Sequence, residues 1–339
     1  MSLVLAELNE APEAVARQES GLAAPLNELI ARLARTPPSV VVTCARGSSA
    51  HAATFAKHLV ERYLGIPVAA AAPVICTAYG RDLRLKNQLF LAISQSGRSD
   101  DLVEAACSAR RSGALSAALV NEIRSPLAEA CDIVLPLGAG PERAVAATKS
   151  FIASLAALLR LIALWSDDRN LRAAIERLPA RLADAARLDW GAAVKPLATA
   201  HSLVTIGRGP TLAIAREAAL KLKELADLHA EAFSGAEFRH GPVALVEANY
   251  PLLMFVAPDE TAPGLRSLAD GLRARGAKLF CADPTGGASS GLPTLLADQP
   301  EADALCLIQS FYKMAVEVAA ARGLDPDRPR HLQKVTRTR

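Results

Sequence analysis

Six consecutive residues, Ser94-Gln95-Ser96-Gly97-Arg98-Ser99, form the short run best equipped for chemistry. They follow an apolar run, Leu89-Phe90-Leu91-Ala92-Ile93, that reads as a buried strand. After Asp100 and Asp101, apolar residues resume at helical spacing: Leu102, Ala105 and Ala106. Strand, Ser/Gly turn and helix start together make an anion cradle. Hydroxyls and backbone N–H groups converge where the helix dipole is positive, and glycine lets a ligand approach the backbone. A plain capped helix would also favour Ser and Asp there, so the run alone leaves both readings open.

A second set lies between Arg216 and Pro242, the most polar long stretch of an otherwise apolar chain. Glu217, Lys221 and Glu224 fall on one helical face. Most such runs are solvated faces with charge pairs. This one leads into Phe238-Arg239-His240-Gly241-Pro242, a turn carrying a histidine. Gly207-Arg208-Gly209 precedes the helix but lacks the third glycine of a dinucleotide fingerprint, so NAD is not expected. His, Cys and Asp do not fall at metal-ligand spacing; no metal and no cofactor is expected.

The elements that must position these residues alternate between strand and helix. Residues 1–35 read as helical, with Leu22, Leu26, Leu29, Ile30 and Leu33 on one face, ended by Pro37-Pro38. Strands are expected at 39–44, 68–75, 89–93, 115–120 and 133–137, with a turn at 45–49 and a helix at 50–63. From Thr148 to about Leu188 the pattern is helical, with Pro179 as an interruption. This order predicts βαβ units and a parallel sheet.

The chain then repeats itself. Val42-Thr43-Cys44-Ala45-Arg46-Gly47 is echoed by Val204-Thr205-Ile206-Gly207-Arg208-Gly209. Arg111-Ser112-Gly113-Ala114 is echoed, at almost the same interval, by Ala274-Arg275-Gly276-Ala277, and Leu89–Ile93 by Leu252–Val256. Duplicated domains follow. In the second copy the cradle has become Ala257-Pro258-Asp259-Glu260, whose carboxylates would repel a phosphate. One copy is therefore expected to bind the anion and the other to contribute something else.

Composition narrows the function classes. With 51% hydrophobic and 22% charged residues a large core is available and disorder is not expected. A net charge of +3 and 4% aromatic residues give no electrostatic field or stacking platform for nucleic acid; the basic residues Arg328, Arg330, Lys334, Arg337 and Arg339 are the local exception. The six cysteines show no C-x-x-C spacing, as expected of free thiols in a reducing compartment. No signal peptide is legible, and the best apolar stretch, Ser154–Trp165, is short and broken by Arg160. A cytoplasmic protein without membrane or nucleic-acid partners is expected.

Six stretches carry a resemblance: ARGSSAHAA at 45–53, SQSGRSDDLV at 94–103, PERAVAATKSF at 141–151, GRGPTLAIAREAALKLKELADLHAEAF at 207–233, FRHGPVAL at 238–245 and DPDRPRHLQKVT at 325–336. In that order they resemble the sugar isomerase (SIS) family, in particular the isomerase half of glucosamine-6-phosphate synthases and the stand-alone type II glucosamine-6-phosphate deaminases. The resemblance implies an α/β fold of two tandem flavodoxin-like αβα SIS domains with parallel sheets. The expected division is a helical segment 1–35, a cradle domain 36–190, a second domain 191–324 and a tail 325–339.

It also implies a hexose phosphate substrate held by Ser94, Gln95, Ser96 and Ser99, with Ser48 and Ser49 close by and Val145 lining the site. The base would be Glu224; read from the residues, Glu217 is the other candidate for that base, and could instead orient Lys221 or Glu224. A homodimer is implied in which His240 reaches the neighbouring subunit's site, and Lys334 on the tail would take part in opening the sugar ring. The synthases carry a glutaminase domain headed by a nucleophilic cysteine; here the first cysteine, Cys44, falls within a predicted strand, and no such domain is expected. Arg98 stands where the synthases usually carry an acid, as in the stand-alone members.

Aldose–ketose isomerisation moves a proton between C1 and C2, work for one partly buried carboxylate. A neutral His240 could shuttle a proton as the pyranose opens. Lys334 could polarise the ring oxygen or form an imine with the open-chain ketose. The best single expectation is a cofactor-free deaminase converting glucosamine 6-phosphate to fructose 6-phosphate and ammonia. The alternatives are a synthase-like isomerase without its own glutaminase, and a non-catalytic sugar-phosphate sensor.

Overall fold

The computed structural model describes residues 2–286 and 291–334. The end of the expected tail, 335–339, lies outside the described residues. The chain divides into two compact units. One holds residues 13–142, 149–172 and 333–334, and the other 2–12, 143–148, 173–286 and 291–332. Two helices lead the chain, α1 (Leu3–Asn9) and α2 (Ala11–Arg35). On α2, Leu22, Leu26, Leu29 and Leu33 are buried, on the face their spacing predicts.

The first unit is built on a five-stranded parallel sheet. Its elements are β1 (Val41–Ala45), α3 (Gly47–Leu64), β2 (Val68–Ala70), α4 (Val74–Thr77), β3 (Leu89–Ser94), α5 (Asp100–Arg111), β4 (Leu115–Val120), α6 (Pro126–Ala130), β5 (Ile133–Pro136) and α7 (Lys149–Trp165). The strand order is β2-β1-β3-β4-β5. Every residue of β3 is buried, as a central parallel strand covered on both faces requires. The β3–α5 core gathers Phe90, Ala92, Leu102, Ala105, Ala106 and Leu127.

Three local expectations need correction. Helix α3 starts at Gly47, so Ser48 and Ser49 lie in its first turn and not in a loop before it. The strand expected at 68–75 stops at Ala70, because β2 is an edge strand whose alanines face solvent and Pro73, at φ −54°, starts α4. The break in the helical stretch falls after Trp165, not at Pro179. Asp167 turns left-handed at φ +56°, and the Asp168 carboxylate accepts the Leu171 N–H at 2.8 Å to start α8 (Arg169–Ala185). Pro179 sits inside α8, held by the buried Leu178 and Leu182.

The second unit carries α9 (Gly191–Ala198), β6 (Ser202–Gly207), α10 (Thr211–Ala226), β7 (His229–Ser234), α11 (Gly235–Arg239), β8 (Pro251–Phe255), α12 (Ala262–Ala274), β9 (Lys278–Ala282) and α13 (Pro300–Ala321). Its sheet is parallel, in the order β7-β6-β8-β9, the first four places of the other sheet repeated. The paired Gly113 and Gly276 both take left-handed φ, +81° and +79°, between a helix and the next strand. Gly207 closes β6 where a Cβ would stand 2.1 Å from the Thr211 carbonyl oxygen, so α10 packs against bare backbone there.

Helix α13 is long and apolar enough to cross a membrane by length and composition, and 72% of its apolar window is buried in the protein. Counting uninterrupted apolar runs misses it, because Glu301, Asp303, Lys313 and Glu317 punctuate it.

Candidate active site

Strands β1 and β3 are neighbours in register, Ala45 opposite Ile93, while β1 pairs on its other side with β2. The crevice beyond the carboxyl ends of β1 and β3 is thus the topological switch point, where open α/β sheets bind ligands. Ser48 and Ser49 stand there at the start of α3, and Ser94 to Ser99 at the end of β3. The Gly97 N–H donates to Ser94 Oγ at 3.0 Å, which leaves the buried Ser94 hydroxyl proton free to be given to another acceptor. Ser96 Oγ accepts the Arg98 N–H at 3.3 Å. The Gln95 carbonyl accepts the N–H groups of Asn121 and Glu122, both at 3.3 Å.

Ser99 is the N-cap residue of α5, yet its side chain makes no cap hydrogen bond. That weakens the plain-capping reading of the run. Gly97, at φ +63°, is required twice over, since a Cβ would lie 2.1 Å from Ser125 Oγ, which itself caps α6. Ser94→Ala and Ser96→Ala each remove a hydroxyl able to meet a charged ligand. A lost hydrogen bond of that kind costs about 1.5–3 kcal/mol. The KM for a phosphorylated sugar is expected to rise roughly tenfold or more in each variant. Unchanged KM in both would put the phosphate elsewhere.

Lys334 lies in the same unit, with its Nζ 3.6 Å from Glu142 Oε2. Glu142 is buried and also accepts from the Ser150 N–H at 3.0 Å and the Ser150 hydroxyl at 2.5 Å. The tail lysine is thus tied to a fixed carboxylate, a partner that the sequence analysis did not identify. Val145 belongs to the other unit. It is half-buried in a segment that the Glu7 carboxylate holds by accepting the N–H groups of Arg143 (2.5 Å) and Ala144 (3.1 Å).

In the second unit, helix α10 brings Glu217, Lys221 and Glu224 together as their spacing predicts, but not as a solvated face. Glu217 is 0% and Lys221 1% exposed, while Glu224 keeps 20% of its side chain in solvent. Lys221 Nζ lies 3.4 Å from Glu217 Oε1 and is hydrogen-bonded to Glu224. From α13, the Tyr312 hydroxyl donates to Glu217 Oε1 at 3.1 Å. Burial works against the Lys221 ammonium, but the coulombic pull of Glu217 and Glu224 outweighs it and holds the pKa above the ordinary lysine value. His240 caps α11 in an exposed position, its backbone N–H donating to the Glu237 carbonyl at 2.9 Å. No hydrogen bond or ion pair joins its ring to Glu224 among the described residues.

All six cysteines are free thiols. Burial pushes Cys44, Cys131, Cys281 and Cys306 up to about 12, so none of these four is a thiolate nucleophile near neutral pH. Among the described residues no group of three or more His, Cys, Asp or Glu side chains could hold a metal ion.

Parallel α/β units with a serine-lined switch-point turn define a class of ligand-binding α/β proteins. The SIS domain model matches residues 38–164 and 196–282, and the chain belongs to the SIS domain family. A curated relative, the glutamine–fructose-6-phosphate aminotransferase (isomerizing) of Pyrobaculum aerophilum, is 33% identical over 345 residues, which cover 98% of this chain and 56% of that protein. The chain thus spans about half the length of such relatives. A candidate phosphosugar isomerase from Silicibacter pomeroyi DSS-3 has a crystal structure that matches with a TM-score of 0.92 at 42% identity, covering 96% of this chain and 100% of that one. The C-terminal domain of glucosamine-fructose-6-phosphate aminotransferase from Francisella tularensis matches with a TM-score of 0.86 at 28% identity, covering 97% and 98%.

Proposed function

We propose that the chain is a phosphosugar aldose–ketose isomerase that interconverts fructose 6-phosphate with its aldose and, where ammonia is taken up and water released or the reverse, with glucosamine 6-phosphate. The Glu217–Lys221–Glu224 set carries this reading, because only Glu224 reaches solvent while Lys221, itself paired with the buried Glu217, holds it in place. In this reading Ser94, Gln95, Ser96 and Ser99, with Ser48 and Ser49, hold the phosphate, and Val145 lines the sugar site. Glu224 takes the proton from one of C1 and C2 and returns it to the other, through an enediol or enolamine. Glu217 fixes Lys221, and Lys334, tied to Glu142, polarises the ring oxygen or forms an imine with the open-chain ketose. The relatives' names favour the synthase-type isomerisation over deamination; Arg98 in the cradle is the residue that supports the deaminase form.

The test is a panel: fructose 6-phosphate alone, fructose 6-phosphate with ammonium, and glucosamine 6-phosphate, read by sugar analysis and ammonia release. Interconversion of aldose and ketose is expected. Ammonia from glucosamine 6-phosphate would assign the deaminase form. Tight binding of hexose phosphates with turnover of none would overturn the enzyme reading in favour of a sensor.

The exposed His240 is assigned to the site of a second copy in a homodimer, where it shuttles the ring-opening proton. Glu224→Gln and His240→Ala should each be nearly inactive alone and recover activity when refolded together. With random pairing half the dimers are mixed and one of their two sites is intact, so recovery should approach about a quarter of wild type. No recovery despite proven subunit exchange would place both residues in one chain's site.

A further inference from the structure

We infer that Arg46 is a further phosphate-holding residue of the cradle, a guanidinium positioned for that work by the buried Asp101. The inference rests on the phosphosugar reading of the cradle. Arg46 directly follows β1, and since Ala45 lies opposite Ile93, it emerges beside Ser94 at the switch point. It is the N-cap residue of α3, immediately ahead of Gly47, Ser48 and Ser49. Asp101 lies in the first turn of α5, just after Ser99 and Asp100. Arg46 Nε and Nη2 both donate to Asp101 Oδ2, at 2.9 and 2.7 Å, so one ion pair joins the helix starts that carry the cradle's serines.

The two ends of this pair are unlike. The Asp101 side chain is 3% exposed, and its Oδ1 is buried without a hydrogen-bond partner. The Arg46 side chain is 52% exposed. Its Nη1 makes no hydrogen bond among the described residues, so the guanidinium can still present N–H groups to an anion. Charge gives the arrangement its sense. Asp100 and Asp101 are two carboxylates at the helix start where a doubly charged phosphate would sit. Arg46 offsets the buried one and can meet the phosphate with a charge-assisted hydrogen bond. Neutral serine hydroxyls can bind the phosphate oxygens but cannot offset that charge.

The experiment compares wild type, Arg46→Gln and the double variant Arg46→Gln/Asp101→Asn. The double variant keeps the comparison open if the single one, left with an uncompensated buried carboxylate, fails to fold. Two readouts are used: calorimetric affinity for inorganic phosphate, which needs no turnover, and the KM and kcat for fructose 6-phosphate. Loss of Arg46 is expected to weaken phosphate binding about tenfold and to raise KM by a similar factor. The kcat should be little changed, and the double variant should be as weak as the single. Phosphate affinity equal to wild type in the folded single or double variant would overturn the inference, the latter by showing that Arg46 serves only to offset Asp101. Wild-type protein that binds phosphate with this Arg46 dependence yet turns over no sugar would defeat the isomerase reading and leave the Arg46 assignment standing.

Discussion

Glu224→Gln is expected to lower kcat by a factor of about 10² to 10⁴, the range general-base catalysis supplies. The substitution keeps the size of the side chain and its place beside Lys221, while removing the group that takes the proton. Because Glu224 is assigned no part in holding the phosphate, KM should change little, and kcat and kcat/KM should fall together. Steady-state kinetics on fructose 6-phosphate or glucosamine 6-phosphate, with protein shown to be folded, reads this out. A loss confined to KM would make Glu224 a binding residue, and the base would have to be sought elsewhere. Glu217 is poorly placed for that role, since it is fully buried between Lys221 and Tyr312.

Lys221→Met should be the most damaging change to stability. It removes the ammonium that faces the fully buried Glu217 carboxylate, whose Oε1 also accepts from the Tyr312 hydroxyl. Removing one partner of a buried ion pair typically costs about 3–5 kcal/mol, a large share of a domain's stability. Chemical denaturation should show that loss, and the added change Glu217→Gln should restore part of it by removing the stranded charge. A single variant as stable as wild type would mean that Glu217 is not held as a charged partner. The sign of the pH dependence follows from the raised pKa of Lys221. Its contribution is fully present below the ordinary lysine pKa and is lost only as pH rises through the raised value, so it should be constant across neutral pH.

What the sequence discloses and what it conceals divide by range. The buried strand β3, the glycine turn after it and the helix start of α5 depend on neighbours only a few residues apart, and all three stand where spacing and residue type place them. The duplication is legible because Gly113 and Gly276 are needed for the same left-handed turn, and that need survives while side chains around it change. The break between α7 and α8 is less legible, because a proline inside a helix is a stronger textual signal than an aspartate turning left-handed.

The residues missed at the site are those whose partners lie far along the chain. Tyr312 meets Glu217 from α13, Asp101 meets Arg46 from α5, and Glu142 meets Lys334 from outside the tail. No periodicity connects such pairs. Helix α13 adds a second difficulty: it is buried around most of its circumference, so it shows no polar stripe to mark its Tyr312 as facing a carboxylate. The burial of Glu217 and Lys221 is hidden for a related reason. Charges at helical spacing look the same whether they face water or the core.

The central claim is that the protein moves a proton at the carbons next to a sugar-phosphate carbonyl, and deuterium exchange tests it most directly. Fructose 6-phosphate is incubated with the protein in D₂O and followed by NMR at C1, with no need for ammonia or a second protein. The account predicts that one of the two C1 hydrogens exchanges or that aldose appears, because a single base works from one face, and that both signals vanish in Glu224→Gln. Neither exchange nor aldose, from protein that calorimetry shows to bind fructose 6-phosphate, would contradict it.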